Sequence, residues 1–221
     1  MPPSDDQQPL AAPERSIVLV GLMGAGKSSI GRRLGQRRDC PFVDADKEIE
    51  TAAGCSIEEI FERHGEAAFR DGERRVIARL LAGPRQVLAT GGGAFMDPRT
   101  RAAVRRHGLS VWLRADLELL VRRTGRRDNR PLLKGKDSRV ILQDLIEERY
   151  PVYAEADVAI DIDDSPPDVT TSRVCAAIET YLGAEADLSI GAAGEAGAAG
   201  ELDALDGAAA PGARPDGARA P

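Results

Sequence analysis

Residues 16–28 constrain this chain more than any other stretch. The apolar run Ser16-Ile-Val-Leu-Val20 passes directly into Gly21-Leu-Met-Gly-Ala-Gly26-Lys27-Ser28, and Ser29 begins a stretch of helical periodicity. G-x-x-x-x-G-K-S between a buried strand and a helix is a phosphate-binding turn. The glycines let backbone N–H groups curl around phosphate oxygens, and the helix N-terminus adds partial positive charge. Gly24, Ala25, Gly26, Lys27, Ser28 and Ser29 are therefore candidate nucleotide contacts. Lys27 is the candidate for the terminal phosphates, and the Ser28 hydroxyl is offered to a divalent cation. Lysines stand only at 27, 47, 134 and 136. In a chain that otherwise uses arginine, an accidental lysine at the motif position is a poor explanation.

A strand that feeds a phosphate turn and a helix is half of a βαβ unit, and the rest of the sequence repeats the alternation. The pattern predicts strands at Ser16–Val20, Pro41–Val43, Gln86–Ala89, Leu109–Leu113 and Asp157–Ile162. Helices are predicted at about Lys27–Arg38, Ala45–Ala53, Ser56–Arg63, Glu66–Leu81, Pro98–His107, Asp116–Arg123, Asp137–Tyr150 and Pro167–Leu182. Ser56 with Glu59 three residues on is a capping box. The expected class is α/β: three layers, with a five-stranded parallel sheet flanked by helices. His64 and His107 fall at helix ends, where capping is their simplest role, and Trp112 reads as core.

Length and charge set the boundaries. The 221 residues suit one α/β domain. Residues 184–221 hold Glu185, Asp187, Glu195, Glu201, Asp203, Asp206 and Asp216 against Arg214 and Arg219, which is −5 of the formal −6. The remainder is nearly neutral, so no nucleic-acid surface is expected. Residues 1–14 read as a flexible leader, 15–183 as the folded domain, and 184–221 as a disordered acidic tail rich in Ala, Gly and Pro. Cys40, Cys55 and Cys175 form no C-x-x-C pair, so a reduced, cytoplasmic setting fits. No apolar run is long enough to span a bilayer.

The acids point to a particular branch of phosphate-loop proteins. Many such proteins place a cation-handling Asp after a later apolar strand, but Gln86–Ala89 ends in Thr90-Gly91-Gly92-Gly93. Carboxylates instead follow the second strand, as Asp44-Ala45-Asp46. One could organise Mg²⁺ while the other accepts a proton from an attacking hydroxyl. Alternatively they are a helix N-cap pair.

With the phosphate loop, Asp44-x-Asp46, Phe69-Arg70, Gly91-Gly92-Gly93 and Arg130-Pro131-Leu132-Leu133 in this order, the chain resembles the shikimate kinases over about Ser16–Leu182. The resemblance implies a P-loop kinase fold with an acceptor-binding helical region, about 44–75, and a mobile lid, about 124–136. It implies a monomer that binds ATP and shikimate and transfers a phosphoryl group to the 3-hydroxyl of shikimate. It further implies that Asp46 binds that hydroxyl and acts as its base, and that Asp44 and Ser28 hold Mg²⁺. By the same resemblance Arg70 and Arg149 grip the carboxylate, Gly91, Gly92 and Gly93 complete the pocket, Arg123 lies beside adenine, and Arg130 acts on the phosphates. A planar guanidinium fork suits a carboxylate in a way an ammonium does not; surface ion pairs are the plainer reading of each arginine alone. The basic run Arg122, Arg123, Arg126, Arg127, Arg130, Lys134 and Lys136 suits a cover that shields developing charge and excludes water. One departure is Asp163-Asp164-Ser165-Pro166-Pro167, where family members can carry a basic residue flanking adenine. The rival readings are a gluconate kinase or other small-metabolite kinase, and a silent nucleotide-binding module.

Overall fold

A computed structural model describes residues 15–125 and 137–201, with side chains described as far as 185. Five strands form one sheet: β1 (Ser16–Val20), β2 (Phe42–Asp44), β3 (Val87–Ala89), β4 (Gly108–Ala115) and β5 (Val158–Ile162). Their spatial order is β2-β3-β1-β4-β5, and every pairing is parallel. Parallel neighbours require crossovers, and these are helices α1 (Lys27–Arg37), α2 (Ala45–Ala53), α3 (Ile57–Leu81), α4 (Pro98–His107), α5 (Leu117–Thr124) and α6 (Ser138–Tyr153); α7 (Pro167–Glu201) follows the last strand. The central strand β1 is buried along its whole length between β3 and β4, which is why its sequence is an unbroken apolar run. Its C-terminal end lies where the chain order reverses across the sheet, the place where open α/β sheets form a ligand crevice.

Several boundaries differ from the sequence reading, each for a local reason. The break expected between the two helices over 56–81 is present within α3 at Gly65, whose φ of 77° and ψ of 174° are not helical, and so is the Ser56 and Glu59 capping box. Strand β2 is shifted by one residue, so that Asp44 pairs in register with Ala89. A 3₁₀ turn over Ala94–Met96 follows the glycine triplet. Helix α6 continues through Pro151 to Tyr153, since a proline in the last turn forfeits a single hydrogen bond.

The closing helix also runs to Glu201 instead of about Leu182. Over 184–201 alanine and glutamate favour helix by intrinsic propensity even where the apolar periodicity needed for packing has faded. Residues 1–14 and 202–221, for which a leader and the rest of the tail were expected, lie outside the described residues. By its contacts the chain divides after Tyr181. Within the larger unit α7 buries Thr171, Val174 and Ile178 and is tied to α1 by Arg33–Asp168 and Arg38–Glu179 ion pairs, both 3.0 Å. The Arg38 side chain is only 1 % exposed.

Candidate active site

The turn after β1 has the conformation its glycines permit. Gly24 and Gly26 take φ of 87° and 98°, a left-handed region that costs other residues strain, and Gly26 caps the N-terminus of α1. The Lys27 ammonium donates to the carbonyls of Gly21 (2.7 Å) and Leu22 (3.0 Å), so it is drawn across the mouth of the loop. Ser28 donates its hydroxyl to Asp44 Oδ2 at 2.9 Å, which brings the first turn of α1 to the end of β2. Ser29 is turned elsewhere: its hydroxyl and carbonyl accept from Arg33.

Asp44 accepts from two directions, and the N-cap reading of it holds. Oδ2 meets Ser28, while Oδ1 accepts from the Asp46 backbone N–H and caps α2. Asp46 is thereby fixed in the first turn of α2. Burial pushes its carboxyl above the ordinary aspartate range and Asp44 adds to the rise, against the pull of Lys27 and Arg70.

The acceptor residues converge on the glycine triplet, one glycine to each partner. A Cβ on Gly91 would come within 2.8 Å of Glu73 Oε1 and 2.9 Å of Asp46 Oδ1. On Gly92 it would stand 3.4 Å from an Arg149 guanidinium nitrogen, and on Gly93 it would overlap the Arg70 guanidinium at 2.5–2.7 Å. Asp46 from α2, Arg70 from α3 and Arg149 from α6 thus close around 91–93 because no side chain intervenes. The plainer reading of the arginines as surface ion pairs fits poorly. Arg149 is 13 % exposed, and its buried Nε makes no hydrogen bond. Arg70 is half-buried, with Nη1 on Glu73 at 2.7 Å and a looser pair to Glu66.

Two residues escaped the sequence reading. Glu73 is 3 % exposed and places one oxygen on Arg70 while the other has no hydrogen-bond partner. Burial raises its carboxyl, and the hydrogen bond and charge of Arg70 oppose the rise. The i, i+3 spacing of Arg70 and Glu73 on one helix was the available signal. Tyr153 donates its hydroxyl to the Gly92 carbonyl; it was hidden because Pro151 argued for an earlier helix end.

On the nucleotide side, Arg123 reaches the Gly24 carbonyl at 3.4 Å and the Asp163 carbonyl at 2.8 Å. The acids that replace the expected basic residue are spoken for: Asp164 pairs with Arg122 at 2.7 Å and Asp163 with Arg173 at 3.0 Å. Arg130 and lid residues 126–136 lie outside the described residues.

Comparisons with known proteins agree with this geometry. The family model for shikimate kinase matches residues 23–179. Shikimate kinase of Paramagnetospirillum magneticum is 60 % identical over 171 residues, covering 77 % of this chain and 88 % of the relative. That of Caulobacter vibrioides is 58 % identical over 175 residues, covering 79 % and 86 %. The solved structure of shikimate kinase from Acinetobacter baumannii in complex with shikimate superposes with a TM-score of 0.70 at 38 % identity, covering 72 % of this chain and 90 % of that one. A parallel five-stranded sheet, a phosphate turn at its central strand and a matched family over most of the folded region lead to one conclusion: the chain belongs to the shikimate kinases, enzymes that phosphorylate shikimate with ATP.

Proposed function

We propose the following division of labour for transfer of the terminal phosphoryl group of ATP to the 3-hydroxyl of shikimate. The N–H groups of Gly24, Ala25 and Gly26 cradle the phosphates, and Lys27 exchanges its carbonyl partners for phosphate oxygens. Asp46 accepts a hydrogen bond from the acceptor hydroxyl, aims it at the phosphorus and takes its proton. Arg70 and Arg149 hold the carboxylate from two sides, which fixes the ring's rotation as well as its position. A loose phosphoryl-transfer transition state asks the protein mainly for positioning and charge stabilisation, and no covalent intermediate is required.

Ser28 and Asp44 are the proposed Mg²⁺ residues. Among the described residues no cluster of three His, Cys, Asp or Glu could hold a metal, whereas Mg²⁺ needs only one or two protein oxygens when phosphates and water complete its shell. The hydroxyl and carboxylate 2.9 Å apart supply such a foothold. When bound, the ion neutralises charge on the phosphates. Arg123 is the proposed neighbour of adenine. Resemblance alone supports Arg130 on the phosphates, under a closing lid.

The monomer is the proposed working unit, since the phosphate loop, the acceptor arginines and the glycine triplet come from one chain. No helix among the described residues is long and apolar enough to cross a membrane, and three unpaired cysteines suit a reducing cytoplasm.

The observation that carries the reading is the convergence of Asp46, Arg70 and Arg149 on three consecutive bare glycines. ATP consumption measured with shikimate, with gluconate and with no acceptor should respond to shikimate alone. Arg70→Lys and Arg149→Lys keep the charge but lose the fork, and each should raise the KM for shikimate at least tenfold while the KM for ATP stays within about twofold. If either variant moved only the ATP KM, the acceptor site would lie elsewhere.

A further inference from the structure

Arg149 and Tyr153 are four residues apart on α6 and therefore share a face. The tyrosine is wholly buried, 0 % exposed, and its ring is held by Trp112 at 6.1 Å, Tyr150 at 6.1 Å and Phe95 at 6.4 Å between centroids. Tyr150 is anchored in turn by its hydroxyl on the Ala115 carbonyl at the end of β4. Caged in this way, the Tyr153 ring can turn only its hydroxyl hydrogen, and that hydrogen goes to the carbonyl of Gly92. A Cβ on Gly92 would stand 3.9 Å from this hydroxyl and 3.4 Å from an Arg149 guanidinium nitrogen, and the two side chains interact. Among the described residues Arg149 has no hydrogen-bond partner at its buried Nε, and its one ion pair is a distant 3.7 Å to Glu148. Its acid neighbour therefore does little to set its orientation.

We propose that Tyr153 is a positioning residue of the acceptor site: its hydroxyl ties the Gly92 peptide to α6 and sets the rotation of the Arg149 guanidinium that receives the acceptor's carboxylate. Burial holds the phenol up at about 12, against the charge and hydrogen bonding of Arg149; the hydroxyl thus stays protonated and remains a donor at every working pH. Arg70 has Glu73 to hold it, and Tyr153 is the corresponding support on the opposite side of the triplet.

This inference rests on Arg149 as the carboxylate grip, and the test separates the two. Tyr153→Phe keeps the caged ring and removes one hydrogen bond. Such a loss is worth a fewfold to tenfold in binding, so the KM for shikimate should rise about five- to tenfold. Turnover at saturating shikimate and the KM for ATP should stay within about twofold, and Tm within about 3 °C. On an Arg149→Lys background the same substitution should change the shikimate KM by less than about twofold, because the group it positions has lost its fork. An unchanged shikimate KM in Tyr153→Phe would overturn the proposal. So would an equal factor in both backgrounds, or a fall in Tm accompanied by changes in both KM values. Failure of the acceptor reading looks different: Arg149→Lys alone would then leave the shikimate KM where it was.

Discussion

Asp46 is held in a conflict that its proposed role as general base requires. A general base works best when its affinity for the proton is raised toward the working pH, and burial together with Asp44 supplies that rise. An acid whose folded-state value is raised binds its proton more tightly when folded, so stability falls as pH climbs from the ordinary aspartate value of 3.8 through the folded one. The ionised Asp46 present at neutral pH is therefore a stability cost. Asp46→Asn removes both the base and the cost. Turnover should drop at least about a hundredfold, while Tm measured at pH 7 should rise. The rise should shrink toward zero below about pH 4, where the wild-type carboxyl is protonated in both states. A Tm gain independent of pH would show that the buried charge is not its source. Glu73 is raised chiefly by burial and in part by the charge of Asp46, so the substitution relieves Glu73 as well and the gain at neutral pH includes that relief.

At the scale of elements, glycine provides a test in which one substitution has two signs. Gly35 and Gly72 both lie inside helices, where alanine is favoured by about 0.5–1 kcal/mol. A Cβ on Gly35 would meet the Cys40 carbonyl at 2.8 Å, and that carbonyl belongs to the backbone turn from α1 into β2. Overpacking against backbone costs about 1–3 kcal/mol, so Gly35→Ala should lower Tm by about 2–4 °C. A Cβ on Gly72 would meet nothing within 4 Å, so Gly72→Ala should raise Tm by a similar amount. Scanning calorimetry on the two variants decides it; two shifts of the same sign would mean that propensity, not the α1–β2 contact, rules.

The element order itself was legible because its signals are local: apolar runs, caps, and turns placed between them. Individual acceptor residues were legible as members of a pattern. Their assignment to one glycine each was not, since 46, 70, 91–93 and 149 meet only through the crossing of three helices over the sheet edge. The break at Gly65 was legible because glycine punctuates helices; the passage of α6 through Pro151 was misread because proline interrupts helices more often than it is absorbed by them.

For the whole molecule, Arg38–Glu179 ties α7 to α1 at 3.0 Å, and the family match ends at Glu179. Residues 184–221 supply no site residue and concentrate −5 of charge. A chain cut to 14–184 should keep Tm within about 2 °C and turnover within about twofold of the full chain; a larger loss of either would give the tail a part in folding or catalysis. The glycine triplet bears on a different question, that of resistance. An inhibitor that rests on the bare backbone of 91–93 would contact a surface that the enzyme cannot readily reshape. A side chain added at 91 or 93 to repel the compound would strike Asp46 and Glu73, or Arg70, and one at 92 would lie against Arg149. Escape by substitution at those three positions would carry its own loss of fitness.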